Sequence, residues 1–157
     1  MTSAKKNVVV TGASGLIGSH LVRRLSSRYK VHALSRTPVD CFNENVVWHK
    51  LDFNEGTEVS ELPSKVEAVV CLAQSDEFKD FPSKAPNIFM VNTYSLLMFL
   101  DYAHRSGAEA FVYASTGGVY SGEAESFSED ANLSIDDGRN FYASTKICSE
   151  IIVANYT

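Results

Sequence analysis

A chain of 157 residues, 45% hydrophobic and 21% charged, can bury the core of a single domain. Its formal net charge of -5, with no run of basic residues, leaves no surface for releasing counterions from nucleic acid, so nucleic acid is not an expected partner. Met1 to Lys6 contains no apolar stretch of signal-peptide length, and no window reaches membrane-span length, so a soluble, cytoplasmic protein without a membrane partner is expected.

In chain order, Asn7 to Thr11 is a β-branched run suited to a buried strand. The turn Thr11-Gly12-Ala13-Ser14-Gly15-Leu16-Ile17-Gly18 follows, and a helix is expected from Leu16 to Arg28 with Leu16, Ile17, Leu21, Val22 and Leu25 on its apolar face. Glycines let backbone N–H groups approach a pyrophosphate at close range because no Cβ atom stands in the way. Gly12 and Gly15 serve the turn and the approach, and Gly18 lets helix and strand pack closely. Glycines also mark ordinary loops, so the triplet alone is weak. Its position after a strand, opening an amphipathic helix that leads into a second strand, makes it a dinucleotide site formed by Gly12, Ser14, Gly15, Leu16, Ile17 and Gly18.

Further strands are expected at Val31 to Leu34, Val46 to Trp48, Ala68 to Leu72 and Ala110 to Ala114, each followed by a polar or glycine-containing break. A long helix from Asn87 to Arg105 separates the last two, and Gly107 stands where a left-handed helix cap is wanted. Ser121 to Arg139 is acidic and serine-rich without periodicity, which marks a surface loop, and a final helix begins near Phe141 and is still running at Thr157. The alternation gives an α/β class, a Rossmann-type doubly wound parallel sheet filling residues 1–157 as one NAD(P)-binding domain. A helix in this fold hands over to another strand, so the chain is expected to be truncated before a last strand and a substrate lobe. The three cysteines, Cys41, Cys71 and Cys148, are odd in number and widely spaced, which suits reduced thiols rather than a disulfide framework or a metal site.

The end of the second strand bears on the cofactor. A carboxylate there would accept from a ribose 2′-hydroxyl, whereas an arginine pairs a 2′-phosphate. The chain offers Ser35 and Arg36, and its nearest acid, Asp40, lies beyond Pro38. NADP is therefore expected, with NAD the alternative if Arg36 is solvated or stacks on adenine.

Tyr142 and Lys146 stand four residues apart on the last helix, which puts phenol and ammonium on one face. A neighbouring cation lowers the pKa of a phenol from about 10 towards working pH, so the pair suits proton exchange with an alcohol or carbonyl. Ala114-Ser115-Thr116-Gly117-Gly118-Val119-Tyr120 brings hydroxyls to the carboxyl edge of the sheet, where ligands bind in such folds.

The spacing of two residues between successive glycines, with Thr11 before and Gly18-Ser19-His20-Leu21 after, resembles the extended branch of the short-chain dehydrogenase/reductase superfamily. This is the NAD-dependent epimerase/dehydratase family, of UDP-glucose 4-epimerase type. Aligned on Val119-Tyr120, Thr116 falls on that branch's catalytic hydroxyl, with Ser115 in reserve. The resemblance implies that Thr116 orients the substrate oxygen, Tyr142 moves the proton and Lys146 holds the nicotinamide ribose, the cofactor supplying the hydride chemistry. It further implies that Asp52-Phe53 meets adenine, that Leu72-Ala73-Gln74 and Ala114 line the cofactor, and that Asn92 is the active-site asparagine. Cys71 in place of a histidine, Gln74 in place of a small residue and the lack of a proline before Tyr142 depart from the pattern.

The function implied is a sugar-nucleotide epimerase or dehydratase. The alternatives are an NADP-dependent carbonyl reductase of the same superfamily, acting on a carbonyl substrate, and a non-catalytic dinucleotide-sensing module, which would usually lose the Tyr142–Lys146 pair. A homodimer through the long helix and the Tyr142 helix is implied by the resemblance. The 157 residues alone are expected to bind cofactor without turnover.

Overall fold

Val8, Val9 and Val10 divide by the two-residue period of a strand: Val9 enters one apolar cluster, while Val8 and Val10 enter another on the opposite face of the sheet. A strand buried on both faces is central, and β1 (Asn7–Thr11) indeed pairs on both sides. The computed structural model describes residues 4–39, 43–57, 59–120, 128, 131 and 140–156. Asp40, Cys41 and most of the acidic loop expected over residues 121–139 lie outside these.

With β2 (Lys30–Ser35), β3 (Val46–Lys50), β4 (Ala68–Cys71) and β5 (Ala110–Tyr113), β1 forms a five-stranded sheet in the order β3-β2-β1-β4-β5, parallel throughout. This is the doubly wound arrangement expected of a Rossmann-type α/β fold. The order reverses between β1 and β4, and the crevice outside their carboxyl ends is where such sheets take ligands.

Helix α1 (Leu16–Leu25) covers one face, where Val22 joins Val8, Val10, Val31, Ala33 and Val70. It is shorter than the expected Leu16–Arg28, because Ser26 caps it and the chain turns back through bonds from Arg28 and Tyr29 to the Leu25 carbonyl. The other face is covered by the long helix, which is not uniform. It comprises α2 (Ala85–Phe89), a π-helical segment from Met90 to Tyr94 and α3 (Ser95–Arg105). Ile88, Val91, Leu96, Phe99 and Leu100 are buried along it, and Phe53 meets Phe99 edge to face. Gly107 has φ 65°, the left-handed cap expected after this helix.

Helix α4 (Phe141–Ala154) starts at Asn140, whose side chain accepts from the Ala143 N–H at 2.9 Å. It does not run to Thr157 as expected: Asn155 caps it with bonds to the Ile152 and Val153 carbonyls. Cys71 is buried and Cys148 exposed, both free. Among the described residues no helix is long and apolar enough to cross a membrane, and no group of three or more metal-ligating side chains occurs.

Candidate functional site

The glycine turn is built around contacts that exclude side chains. Gly12 has φ 65°, and a Cβ there would lie 2.7 Å from the Ala73 nitrogen. A Cβ on Gly18 would lie 2.2 Å from the Gly12 carbonyl oxygen and 2.8 Å from the Ala13 Cα. The two glycines therefore let the turn press against the chain after β4 and let α1 close onto β1. Gly15 is the N-cap of α1, and a Cβ there would meet only the Gly12 oxygen, at 3.3 Å. No side chain caps α1 and its first turn carries no acid, so its N–H groups and positive dipole end remain available to an anion. Leu16 is 82% and Ile17 66% exposed.

A cleft of about 420 Å³ opens on this turn. It is lined by Gly12, Ser14, Gly15, Leu16, Ile17, Gly18, Arg36, Asp52, Phe53, Leu72, Ala73, Gln74 and Ala114, each of them a residue expected from the sequence to hold cofactor. Reasoning from sequence missed Leu34, Leu51, Asn54, Ser75, Asp76 and Val91. The first two were legible as strand ends; Ser75 and Asp76 depend on how the chain after β4 folds back, Asn54 on the turn after β3 and Val91 on the long helix. Thr11 fixes that loop, its hydroxyl accepting from the Ala73 N–H at 3.2 Å. Glycine turn, exposed helix terminus and a cleft lined from Arg36 to Ala114 fit a dinucleotide pyrophosphate flanked by its two nucleoside halves.

Four cleft residues have further duties. Asp52 accepts from the Asn54 N–H at 3.0 Å and so shapes its own turn. Phe53 is buried against Phe99, so most of its ring serves the core. Arg36 forms a two-point ion pair with Asp76, its Nη2 2.9 Å from Oδ2 and its Nη1 3.3 Å from Oδ1. Each partner shifts the other: the carboxylate raises the guanidinium pKa, and the guanidinium lowers that of Asp76.

Asn92, expected to be the active-site asparagine, lies outside the cleft lining. It is buried, accepting from the Ser75 N–H at 2.8 Å and donating to the Thr145 hydroxyl at 3.0 Å. Thr93 donates to the Thr145 carbonyl and Ser149 to the Asn92 carbonyl, so the π-helical segment and α4 share a polar seam. Asn92 thus joins the β4 loop to the helix that carries Tyr142 and Lys146. Replacing Asn92 by alanine is expected to cost about 1–3 kcal/mol, since buried partners are left unpaired, and urea unfolding measures this.

Tyr142 and Lys146 occupy one face of α4, with Thr145 and Ser149 turned to the seam. The Tyr142 hydroxyl donates to Gln74 Oε1 at 2.7 Å, and its ring meets Phe78. Burial raises the phenol pKa, contrary to the lowering expected from a neighbouring ammonium. The cause is geometric: Lys146 Nζ sits over the Tyr142 ring, 5.6 Å from its centroid, and donates to the Ala114 carbonyl at 2.9 Å. Lys146 is buried, and desolvation lowers its pKa to about 8.

Thr116 caps the short 3₁₀ turn Gly117–Val119, its hydroxyl accepting from the Gly118 N–H at 3.3 Å. Ser115 lines the cleft and donates to Glu150, a carboxylate one turn beyond Lys146 that sequence reasoning did not single out. Thr116, Tyr142 and Lys146 are not among the residues lining the cleft; they stand at its Ala114 end.

The sequence profile of the NAD dependent epimerase/dehydratase family matches residues 8–157. The GDP-6-deoxy-D-mannose reductase of Pseudomonas aeruginosa is 31% identical over 92% of this chain and 45% of its own length. The dTDP-D-glucose 4,6-dehydratase of Bos taurus is 26% identical over 98% of this chain and 47% of its own. The structure of MoeE5 in complex with UDP-glucose and NAD superposes with a TM-score of 0.77 at 27% identity, over 96% of this chain and 48% of that one. The chain thus spans about half the length of these relatives.

Proposed function

The chain belongs to the NAD dependent epimerase/dehydratase family, and on that premise we propose that it is the cofactor-binding unit of an enzyme that epimerises or dehydrates a sugar nucleotide. The observation that carries this reading is the meeting of two features at one sheet edge. The glycine turn opens a cleft for a dinucleotide, and α4 holds Tyr142 and Lys146 on one face at the Ala114 end of that cleft. A pure sensing module has no need of such a pair.

A nicotinamide dinucleotide bound there supplies the hydride chemistry. The chain's own residues position and move the proton. The Tyr142 hydroxyl donates to an oxygen acceptor, Gln74 Oε1, at 2.7 Å; a substrate oxygen taking that place would give its hydroxyl proton to the phenolate when the alcohol is oxidised and take it back from the phenol when the carbonyl is reduced. Lys146, held by the Ala114 carbonyl, places a positive charge behind the phenol and steadies it as its proton leaves. Thr116 accepts from the Gly118 N–H, and its O–H would orient the same substrate oxygen. Arg36 is the side chain on which an NADP reading rests, NAD being the alternative.

A carbonyl reductase of the same family is the second reading. It is favoured by the burial that keeps the Tyr142 phenol protonated, as a proton donor to a carbonyl must be, and by the likeness to a GDP-sugar reductase. The exposed Phe89, Tyr94 and Ile151 offer an apolar surface for the homodimer, which sedimentation of the purified protein measures.

The test is Tyr142→Phe in a polypeptide that also carries a substrate lobe, assayed with sugar nucleotides. Turnover is expected to fall by about 10²–10⁴ while dinucleotide binding persists. Unchanged turnover would remove Tyr142 from the chemistry.

A further inference from the structure

The Arg36–Asp76 pair has a position in the fold that its surface exposure conceals. Arg36 follows β2 and Asp76 lies in the loop after β4, and these two strands flank β1 on opposite sides. The pair therefore crosses over the strand from which the glycine turn leaves, and both side chains line the cleft. Arg36 is the single cation among the described residues lining it, against two carboxylates, Asp52 and Asp76. Asp52 adds to the field on the guanidinium from within the cleft, whereas the nearby Glu77 is itself paired with Lys84 at 3.1 Å.

We propose that Asp76 is a specificity-determining residue: by neutralising Arg36 at two points and adding a second carboxylate to the cleft, it disfavours a 2′-phosphate, and the cleft takes NAD in preference to NADP. This rests on the dinucleotide reading given above, and it reverses the preference expected from Arg36 in the sequence. The strength of the ion pair is not what excludes NADP. At 57% and 65% side-chain exposure the pair is worth under about 1 kcal/mol and could be opened. The obstacle is the balance of charge: a 2′-phosphate adds about −1.5 to −2, and even if it captured Arg36 it would face the displaced Asp76 and Asp52 in the same cleft. A ribose bearing only hydroxyls meets no such repulsion and can donate to the same carboxylates.

Calorimetric titration of the chain with NAD and with NADP tests the proposal, using the parent, Asp76→Asn and the double variant Arg36→Ala with Asp76→Asn. The parent is expected to bind NAD more tightly. Asp76→Asn should raise the NADP-to-NAD affinity ratio about tenfold, by removing one nearby carboxylate and freeing the guanidinium. The double variant should lose that gain. A structural disturbance would weaken both nucleotides alike and leave the ratio in place. An unchanged ratio in Asp76→Asn, or a parent that prefers NADP, would overturn the proposal while the dinucleotide reading stood. A parent that binds neither nucleotide would remove the dinucleotide reading and the proposal with it.

Discussion

Replacing Gly18 by alanine is expected to destabilise the protein by more than about 2 kcal/mol, whereas the same change at Gly15, three residues earlier, is expected to cost less than about 1 kcal/mol. The difference does not come from backbone conformation, since neither glycine lies in the left-handed region. It comes from what the new methyl would meet. At Gly18 it would stand 2.2 Å from the Gly12 carbonyl oxygen and 2.8 Å from the Ala13 Cα, and backbone atoms cannot swing aside as the end of a flexible side chain can. Relief requires α1 to draw away from β1, which opens the cluster of Val8, Val10, Val22 and Val31. At Gly15 the methyl meets one oxygen at 3.3 Å and is otherwise free, so a shift of a few tenths of an ångström suffices. Gly15→Ala should instead lose dinucleotide affinity, because it places a methyl where the backbone is to approach the pyrophosphate. Urea unfolding followed by circular dichroism, with nucleotide titration of the same samples, separates the two effects. Parental stability in Gly18→Ala would remove the close-packing explanation.

What the sequence made legible here was what depends on neighbours along the chain. The Gly12–Gly18 turn, the run of valines in β1 and the left-handed cap at Gly107 each follow from a few consecutive residues, and the structure has all three. Apolar strands at regular intervals were enough to give a parallel sheet. The π-helical segment was not readable, because one extra residue in a turn barely disturbs the apolar period from Ile88 to Leu100. Asn92 was recognisable as a polar side chain in an apolar helix, but its partners, Ser75 and Thr145, lie 17 and 53 residues away. Asp76 is 40 residues from Arg36, so an arginine read alone suggested a free cation. The spacing of Tyr142 and Lys146 was enough to put both on one face of α4, and what it could not convey was their burial, which depends on Tyr113, Phe78 and Gln74 closing around them.

Burial of Lys146 leads to the second large effect, which falls on function and pH response rather than on folding at neutral pH. The ammonium lies between the Tyr113 ring, 5.0 Å from Nζ, and the Tyr142 ring, 5.6 Å away, with the Ala114 carbonyl as its acceptor. These partners repay only part of the lost hydration, which is why desolvation lowers the pKa to about 8. Below about pH 8 the group is charged in both folded and unfolded chains, and the fold bears the full desolvation penalty. Between about pH 8 and the ordinary lysine value the unfolded chain binds more protons than the folded one, so this group makes stability rise with pH. In Lys146→Met the penalty and the pH response both disappear. At neutral pH the variant is expected to be within about 1 kcal/mol of the parent or more stable, a methionine filling the slot between the rings without a charge to desolvate. Across alkaline pH the parent should gain on the variant, and taking the difference between the two cancels other titrations. Under the proposed chemistry the same substitution removes the charge behind the Tyr142 phenol, and turnover in a polypeptide with a substrate lobe should fall by about 10²-fold or more. Urea midpoints of both proteins from pH 7 upwards, beside their turnover, give the result. A variant several kcal/mol less stable at neutral pH would mean that Lys146 is held for the fold. A stable variant that has lost turnover would mean that the fold tolerates a buried charge for the sake of the site.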